Sequence, residues 1–104
     1  MATALFTWEL GGSLGHVLNL LPLVRGLCAA GHRVFVALRD LSQARSVFDG
    51  VDVGLLQAPY KATPPRDPIL VPRSFAHVLY NVGFADPPEL DSLVEAWRNL
   101  FQLI

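Results

Sequence analysis

The sequence predicts an α/β fold built on a parallel sheet. Short β-rich runs alternate with segments of helical periodicity, which is the pattern of such folds. The first strand leads through a glycine-rich turn into a helix, and two strand–helix–strand units then follow one another. We therefore expect a Rossmann-like parallel sheet with flanking helices, of which residues 1–104 supply the first three strands and about four helices.

The first strand is predicted over Thr3–Trp8, which is mostly apolar on both faces as in a buried parallel strand. A helix follows from about residue 17 to 30, and Gly31 is expected to end it in the left-handed region. Pro22 fits the first turn if the regular helix starts near Asn19, whose side chain would cap it; otherwise Pro22 should kink the helix. The residues expected to face the sheet are Val17, Leu20, Leu21, Val24, Leu27 and Cys28.

The second strand is predicted over Arg33–Leu38, a β-rich and apolar run. A short helix over Leu41–Phe48 and a third strand over Val53–Gln57 come next, with Gly50 between them. The apolar face of the short helix consists of Leu41, Ala44, Val47 and Phe48.

Residues 58–73 carry five prolines and are predicted to form an extended loop. Ser74 should cap a helix that runs to Asn81 and ends at Gly83. Asp86 should cap a last helix that opens on two prolines. The apolar stripe of that helix consists of Leu90, Leu93, Val94, Trp97, Leu100 and Phe101.

The stripe on the last helix affects the expected domain organisation. A chain of 104 residues forms at most one domain, and an amphipathic helix of this kind normally leads into a further parallel strand. We infer that residues 1–104 are the N-terminal part of a longer α/β protein. A partner chain is the other way to cover the stripe, and self-association through this helix or a sheet edge would do so.

Composition excludes several classes of function. The formal net charge is −1 and no Lys/Arg cluster exists, so we expect no nucleic-acid partner. Cys28 is the single cysteine, which excludes an internal disulfide and a cysteine zinc site, and we expect it to be inert packing. The N-terminus lacks the basic region of a secretory signal, and the longest uncharged run, Leu10–Val24, is shorter than the roughly 20 residues of a membrane span. A cytoplasmic location follows as the default, and peripheral contact with the inner face of the membrane stays open.

The glycine-rich turn departs from two nucleotide-binding motifs, the dinucleotide fingerprint and the P-loop. If Gly12 and Gly15 are the last two glycines of the dinucleotide fingerprint, Leu10 occupies the place of the first. Asp40 closes the second strand, but it lies beyond the position of the usual ribose-binding carboxylate. A phosphate-binding P-loop is absent because no Gly-Lys-Ser/Thr occurs. A nucleotide-binding module is thus a weak interpretation, and neither a cofactor nor a metal is expected.

His16 is the candidate catalytic residue. The partial positive charge at a helix N-terminus disfavours imidazolium, and a neutral imidazole at the carboxyl ends of parallel strands can take a proton from a hydroxyl nucleophile. The alternative is that His16 only caps the helix. The residues expected to bind substrate around it are Gly11, Gly12, Ser13, Gly15 and Asn19.

At these residues the chain resembles a known group of enzymes. Gly-Gly-Ser-Leu-Gly-His-Val, a helix containing Pro-Leu, and Ala-Ala-Gly-His-Arg-Val before the second strand resemble the start of GT-B glycosyltransferases, in particular the UDP-glycosyltransferase and macrolide glycosyltransferase families. They are less similar to the bacterial enzyme that adds N-acetylglucosamine to lipid I. The match covers the first three strands, and Gly83-Phe84-Ala85-Asp86 and Ala96-Trp97-Arg98 are similar to the same bacterial group.

The resemblance implies an acceptor-binding N-terminal domain, with the nucleotide sugar held by a C-terminal domain. It implies that His16 is the general base on the acceptor hydroxyl, oriented by a carboxylate from a later strand. Inversion at the sugar carbon and no essential metal are implied as well. The partners would be a small-molecule or lipid acceptor and a nucleotide sugar, and residues 1–104 alone should be inactive. A non-catalytic subunit that supplies this half-site to a separate donor-binding chain is the alternative.

For the other polar and aromatic residues, a structural role is favoured over a functional one. We expect Glu9 to be a solvated or turn-stabilising carboxylate rather than a partner of His16. His32 should hold the turn between helix and strand, and His77 should be a satisfied interior or surface histidine. Aromatic residues that could line an acceptor pocket, although core packing is favoured, are Trp8, Phe75, Tyr80 and Phe84.

Overall fold

The computed structural model describes residues 1–10, 14–60 and 63–104. It contains three strands, β1 (Thr3–Trp8), β2 (Arg33–Leu38) and β3 (Gly54–Gln57), which form one parallel sheet in the order β1-β2-β3. The helices of the described residues are α1 (Leu14–Ala29), α2 (Ala44–Val47), α3 (Phe75–Asn81) and α4 (Pro87–Leu103). The predicted α/β class, with its three parallel strands and four helices, is confirmed and fits a partial Rossmann-like fold. The chain divides into two compact units, Met1–Ala58 and Pro59–Ile104.

The register of the sheet aligns the carboxyl ends of all three strands. Trp8 pairs with Leu38, and Leu38 pairs with Gln57. The N–H of Arg39 donates to the carbonyl of Trp8 at 3.0 Å, which continues the β1–β2 ladder by one residue. The ends of β1, β2 and β3 therefore form one continuous edge.

The core of the first unit lies between α1 and the sheet. Val24 of α1 and Val36 of β2 are fully buried, and all six residues predicted to face the sheet from α1 belong to this core. The expected burial of β1 on both faces was wrong, because β1 is an edge strand whose Thr3 and Thr7 are exposed. The second face of the sheet carries Arg33, whose guanidinium lies 5.3 Å above the ring of Phe35.

Helix α1 ends as the sequence predicts and begins earlier. Gly31 has φ +87°, its N–H donates to the carbonyl of Cys28, and the N–H of His32 donates to that of Leu27, which is a Schellman motif. Of the two alternatives for Pro22, a helix start near Asn19 is wrong, because α1 begins at Leu14. Asn19 is thus interior and caps nothing, and Pro22 occupies the helix interior, where it cannot donate a backbone hydrogen bond.

Helix α2 is shorter than predicted. The N–H of Ser42 donates to Oδ1 of Asp40 at 2.9 Å, so the chain forms an Asx turn where the sequence suggested helix. The helix then covers Ala44–Val47 only, although all four residues of its predicted apolar face lie in the core. Strand β3 starts at Gly54, one residue later than predicted.

The second unit confirms both predicted helix caps. The side chain of Ser74 accepts from the N–H of His77, and that of Asp86 accepts from the N–H of Glu89. A second Schellman motif at Gly83, with φ +109°, ends α3. Asn81 holds the proline-rich loop through two hydrogen bonds with the backbone of Ile69, at 2.7 and 2.8 Å.

The apolar stripe of α4 is only partly covered within this unit. Leu93 is buried, whereas Val94 and Phe101 are 59% and 58% exposed. Nowhere in the described ranges is there a helix whose length and hydropathy would suffice for a membrane crossing.

Candidate functional site

His16 lies at the carboxyl edge of the sheet, as the sequence predicts. It is the third residue of α1, and its imidazole stacks on the indole of Trp8, the last residue of β1. The ring centroids are 4.0 Å apart and the planes differ by 25°. Residue His16 as a whole is exposed. A stack of this kind fixes the plane of the imidazole, and proton transfer takes place in that plane at the ring nitrogens.

Trp8 packs against the core, as the sequence analysis favours, and its ring also supports the His16 imidazole. The residue is half-buried and packs against the core of the first unit. Its Nε1 is buried without a hydrogen-bond partner. An unsatisfied buried N–H costs about 1–3 kcal/mol, so this tryptophan is held in place by its packing and not by its polar atom.

The other residues predicted to bind substrate are only partly placed. Gly15 and Asn19 are exposed residues of α1. Gly11, Gly12 and Ser13 lie outside the described residues. Among the residues that the structure describes, no hydrogen bond or ion pair joins a carboxylate to His16, and Glu9 is half-buried. The carboxylate that the resemblance implies stays a prediction.

Gln57 is a structural residue of this edge that the sequence analysis missed. Its Nε2 lies 3.2 Å from the carbonyl of Leu38, 2.7 Å from that of Arg39 and 3.2 Å from that of Ala58. The amide thus joins the ends of β2 and β3. The available signal was a polar side chain at the end of an apolar strand, but its partners are carbonyls that no sequence motif identifies.

Asp40 follows β2 at the same edge and is engaged locally. Hydrogen bonds from the hydroxyl and then the amide of Ser42 hold the pKa of Asp40 below its ordinary value. Asp40 is an exposed residue. The Asx turn that Asp40 forms with Ser42 gives this carboxylate a structural role that needs no bound ribose.

The remaining histidines have the structural roles predicted for them. Nδ1 of His32 accepts from the N–H of Ala2 at 2.9 Å, which ties the start of β1 to the turn after α1. Nδ1 of His77 accepts from the N–H of Arg73 at 3.0 Å and so continues the cap of α3. Cys28 is half-buried, and its Sγ lies 3.4 Å from the carbonyl of Asp52.

The aromatic pocket, which was the less favoured alternative to core packing, stays untested, because Phe75, Tyr80 and Phe84 belong to the second unit and Trp8 to the first. Phe75 is 63% exposed, and the other two are half-buried. Within the described ranges, no group of three or more His, Cys, Asp or Glu side chains is arranged to hold a metal ion.

Comparisons with known proteins leave the chain without an assigned family. No protein-family model matches it, and neither a curated protein nor a solved structure is detectably similar to it.

Proposed function

We propose that the chain is the acceptor-binding part of a GT-B glycosyltransferase, an enzyme that transfers a sugar from a nucleotide sugar to an acceptor hydroxyl. In this proposal His16 is the general base and the sugar carbon is inverted. The observation that supports it is the position of the His16 imidazole, stacked at 4.0 Å on Trp8 where β1 ends. Ligands of open parallel sheets bind at the carboxyl ends of the strands.

The chemistry that we assign to His16 is proton removal. An acceptor hydroxyl is a weak nucleophile, and it attacks the sugar carbon more readily when a base takes its proton as the new bond forms. The nucleoside diphosphate leaves with the bonding electrons of the sugar–phosphate bond. Exposure of His16 in α1 gives an acceptor access to the imidazole edge, while Trp8 covers one face of the ring.

The partners in this proposal are a small-molecule or lipid acceptor and a nucleotide sugar, with the latter held mainly by a second domain. Residues 1–104 alone are then inactive, and no metal or cofactor takes part. We place the protein in the cytoplasm. The exposed side chains of Val94 and Phe101 on α4 form a surface through which copies of the chain would associate.

Replacement of His16 in the intact protein tests the proposal. Purified protein is incubated with UDP-glucose or dTDP-glucose and with umbelliferone as a phenolic acceptor, and conjugate formation is followed by mass spectrometry. His16→Ala should lower kcat roughly 10²–10⁴-fold, which is the usual contribution of a general base. The dissociation constant of the nucleotide sugar should stay unchanged, since His16 acts on the acceptor.

His77→Ala is the matched control, because it removes a histidine that caps α3 and is assigned no catalytic role. It should keep turnover near that of the unmodified protein. Near-normal turnover in His16→Ala, or no transfer from either donor by the intact protein, would contradict the proposal.

A further inference from the structure

A cavity lies wholly within the unit Pro59–Ile104 and has no role in the proposed transfer. Its volume is about 530 Å³, and it is lined by the proline-rich loop, α3 and the start of α4. The loop is held in place from α3, since Asn81 makes two hydrogen bonds to Ile69 and the hydroxyl of Tyr80 lies 3.5 Å from the carbonyl of Asp67. The cavity is therefore part of the fold of this unit.

Glu89 is the unusual residue of this cavity. It lies in the first turn of α4, it lines the cavity, and it is only 7% exposed. Its Oε1 is buried without a hydrogen-bond partner. A buried carboxylate oxygen is expected to accept a hydrogen bond or to lie beside a cation, so an unpartnered one indicates a missing donor.

The cavity supplies no internal partner for Glu89 among the described residues. Arg66 lines the same cavity but forms no ion pair with Glu89. The other two carboxylates in the lining, Asp67 and Asp86, add negative charge, and Asp86 already accepts from the N–H of Glu89 at 3.1 Å. The site thus combines three carboxylates with one guanidinium and favours a cationic ligand.

Part of the remaining wall is apolar. The rings of Pro64 and Pro65 and the side chain of Tyr80 line the cavity on the loop and α3 sides. An aromatic ring stabilises a nearby ammonium group, and prolines present a surface of little conformational freedom. Although three carboxylates line the cavity, no group of three or more such side chains among the described residues is arranged to hold a metal ion, which favours an organic cation over a metal ion.

We propose that this cavity binds a small organic cation, a protonated amine with an apolar body. The ammonium group donates to the carboxylate of Glu89, and the apolar body packs on Pro64, Pro65 and the Tyr80 ring. This assignment goes beyond the proposed glycosyl transfer and does not depend on it, because none of the residues that carry it belongs to the His16 site.

Two-dimensional ¹H–¹⁵N NMR of the complete chain tests the proposal with two probes of nearly the same shape. Benzylamine is charged at neutral pH and benzyl alcohol is not. Benzylamine should give saturable shifts in the amides of residues 63, 66, 67, 80, 85, 86 and 89, which belong to the cavity. Benzyl alcohol should bind at least about tenfold more weakly, because only the ammonium compensates the carboxylate.

A pair of variants separates recognition by Glu89 from general attraction to an acidic helix. Glu89→Gln should weaken benzylamine binding about tenfold or more. Asp91→Asn removes the same charge from an exposed position two residues further along α4 and should leave the affinity unchanged.

Three results would overturn the assignment. They are no saturable binding of benzylamine, equal binding of the two probes, and equal loss of affinity in the two variants. The comparison of the two probes needs no variant, so it decides the question even if Glu89→Gln fails to fold.

Discussion

Alanine substitutions at Gly26, inside α1, and at Gly31, just after its end, should change stability in opposite directions. Gly31 has φ +87°, and a Cβ built there meets no atom within 4 Å. Replacement by alanine therefore costs backbone strain alone, about 1–2 kcal/mol for an L-residue in the left-handed region. A Cβ at Gly26 also meets nothing within 4 Å. Because Gly26 lies inside α1, alanine there should stabilise the fold by about 0.5–1 kcal/mol.

Urea denaturation followed by circular dichroism measures the change in free energy of unfolding for both variants. The two variants should differ in free energy of unfolding by about 1.5–3 kcal/mol. With a urea dependence of about 1–3 kcal/mol per molar, their midpoints should differ by roughly 1 M. Each variant thereby serves as the control for the other, since the chemical change is identical.

The signs of the two changes are what test the reasoning. A neutral or stabilising Gly31→Ala would mean that the chain does not enter the left-handed region there, and the Schellman end of α1 would be refuted. A destabilising Gly26→Ala would mean that the helix does not continue through this residue.

Two further predictions follow from the sheet and its carboxyl edge. Gly54→Ala should lower the free energy of unfolding by about 1–3 kcal/mol, because its Cβ would lie 2.5 Å from Cδ1 of Phe35. Urea denaturation measures this change, and an unchanged stability would contradict the close contact. Ser42→Ala should raise the pKa of Asp40 towards its ordinary value, because the hydrogen bond from the Ser42 hydroxyl is the main cause of the lowered pKa. An NMR titration of the Asp40 carboxyl measures this pKa, and an unchanged midpoint would refute the prediction. In the unmodified chain this lowered pKa means that Asp40 contributes stability above the pKa of the unfolded state, and that the contribution is lost as pH falls through the folded pKa.

The helix ends of this protein were predictable because their chemistry is local. A glycine after an apolar helix predicts the left-handed end at Gly31 and again at Gly83. Ser74 and Asp86 were predicted as caps for the same reason, since a short polar side chain can accept from an N–H three residues ahead. These features need only a few neighbouring residues.

Features that depend on distant parts of the chain were predicted poorly. The start of α1 was placed too late, because Pro22 disfavours the helix interior locally while the packing of Val17 and Val24 on the sheet stabilises an earlier start. The carbonyl partners of Gln57 and the burial of Glu89 are likewise set by tertiary contacts. Sequence periodicity identifies which side chains are apolar, but not which polar side chain becomes enclosed.

The orientation of the His16 imidazole is a property of the sheet edge more than of the helix that carries it. His16 lies in the first turn of α1, where helix ends are least constrained. Its ring is nevertheless stacked on Trp8, whose carbonyl accepts from Arg39 at 3.0 Å, and the carbonyl of Arg39 in turn accepts from Gln57 at 2.7 Å. A base must be held to within about 0.5 Å of its productive position. In the proposed enzyme, the ladder and the Gln57 amide would therefore supply the rigidity that a base on a helix end lacks.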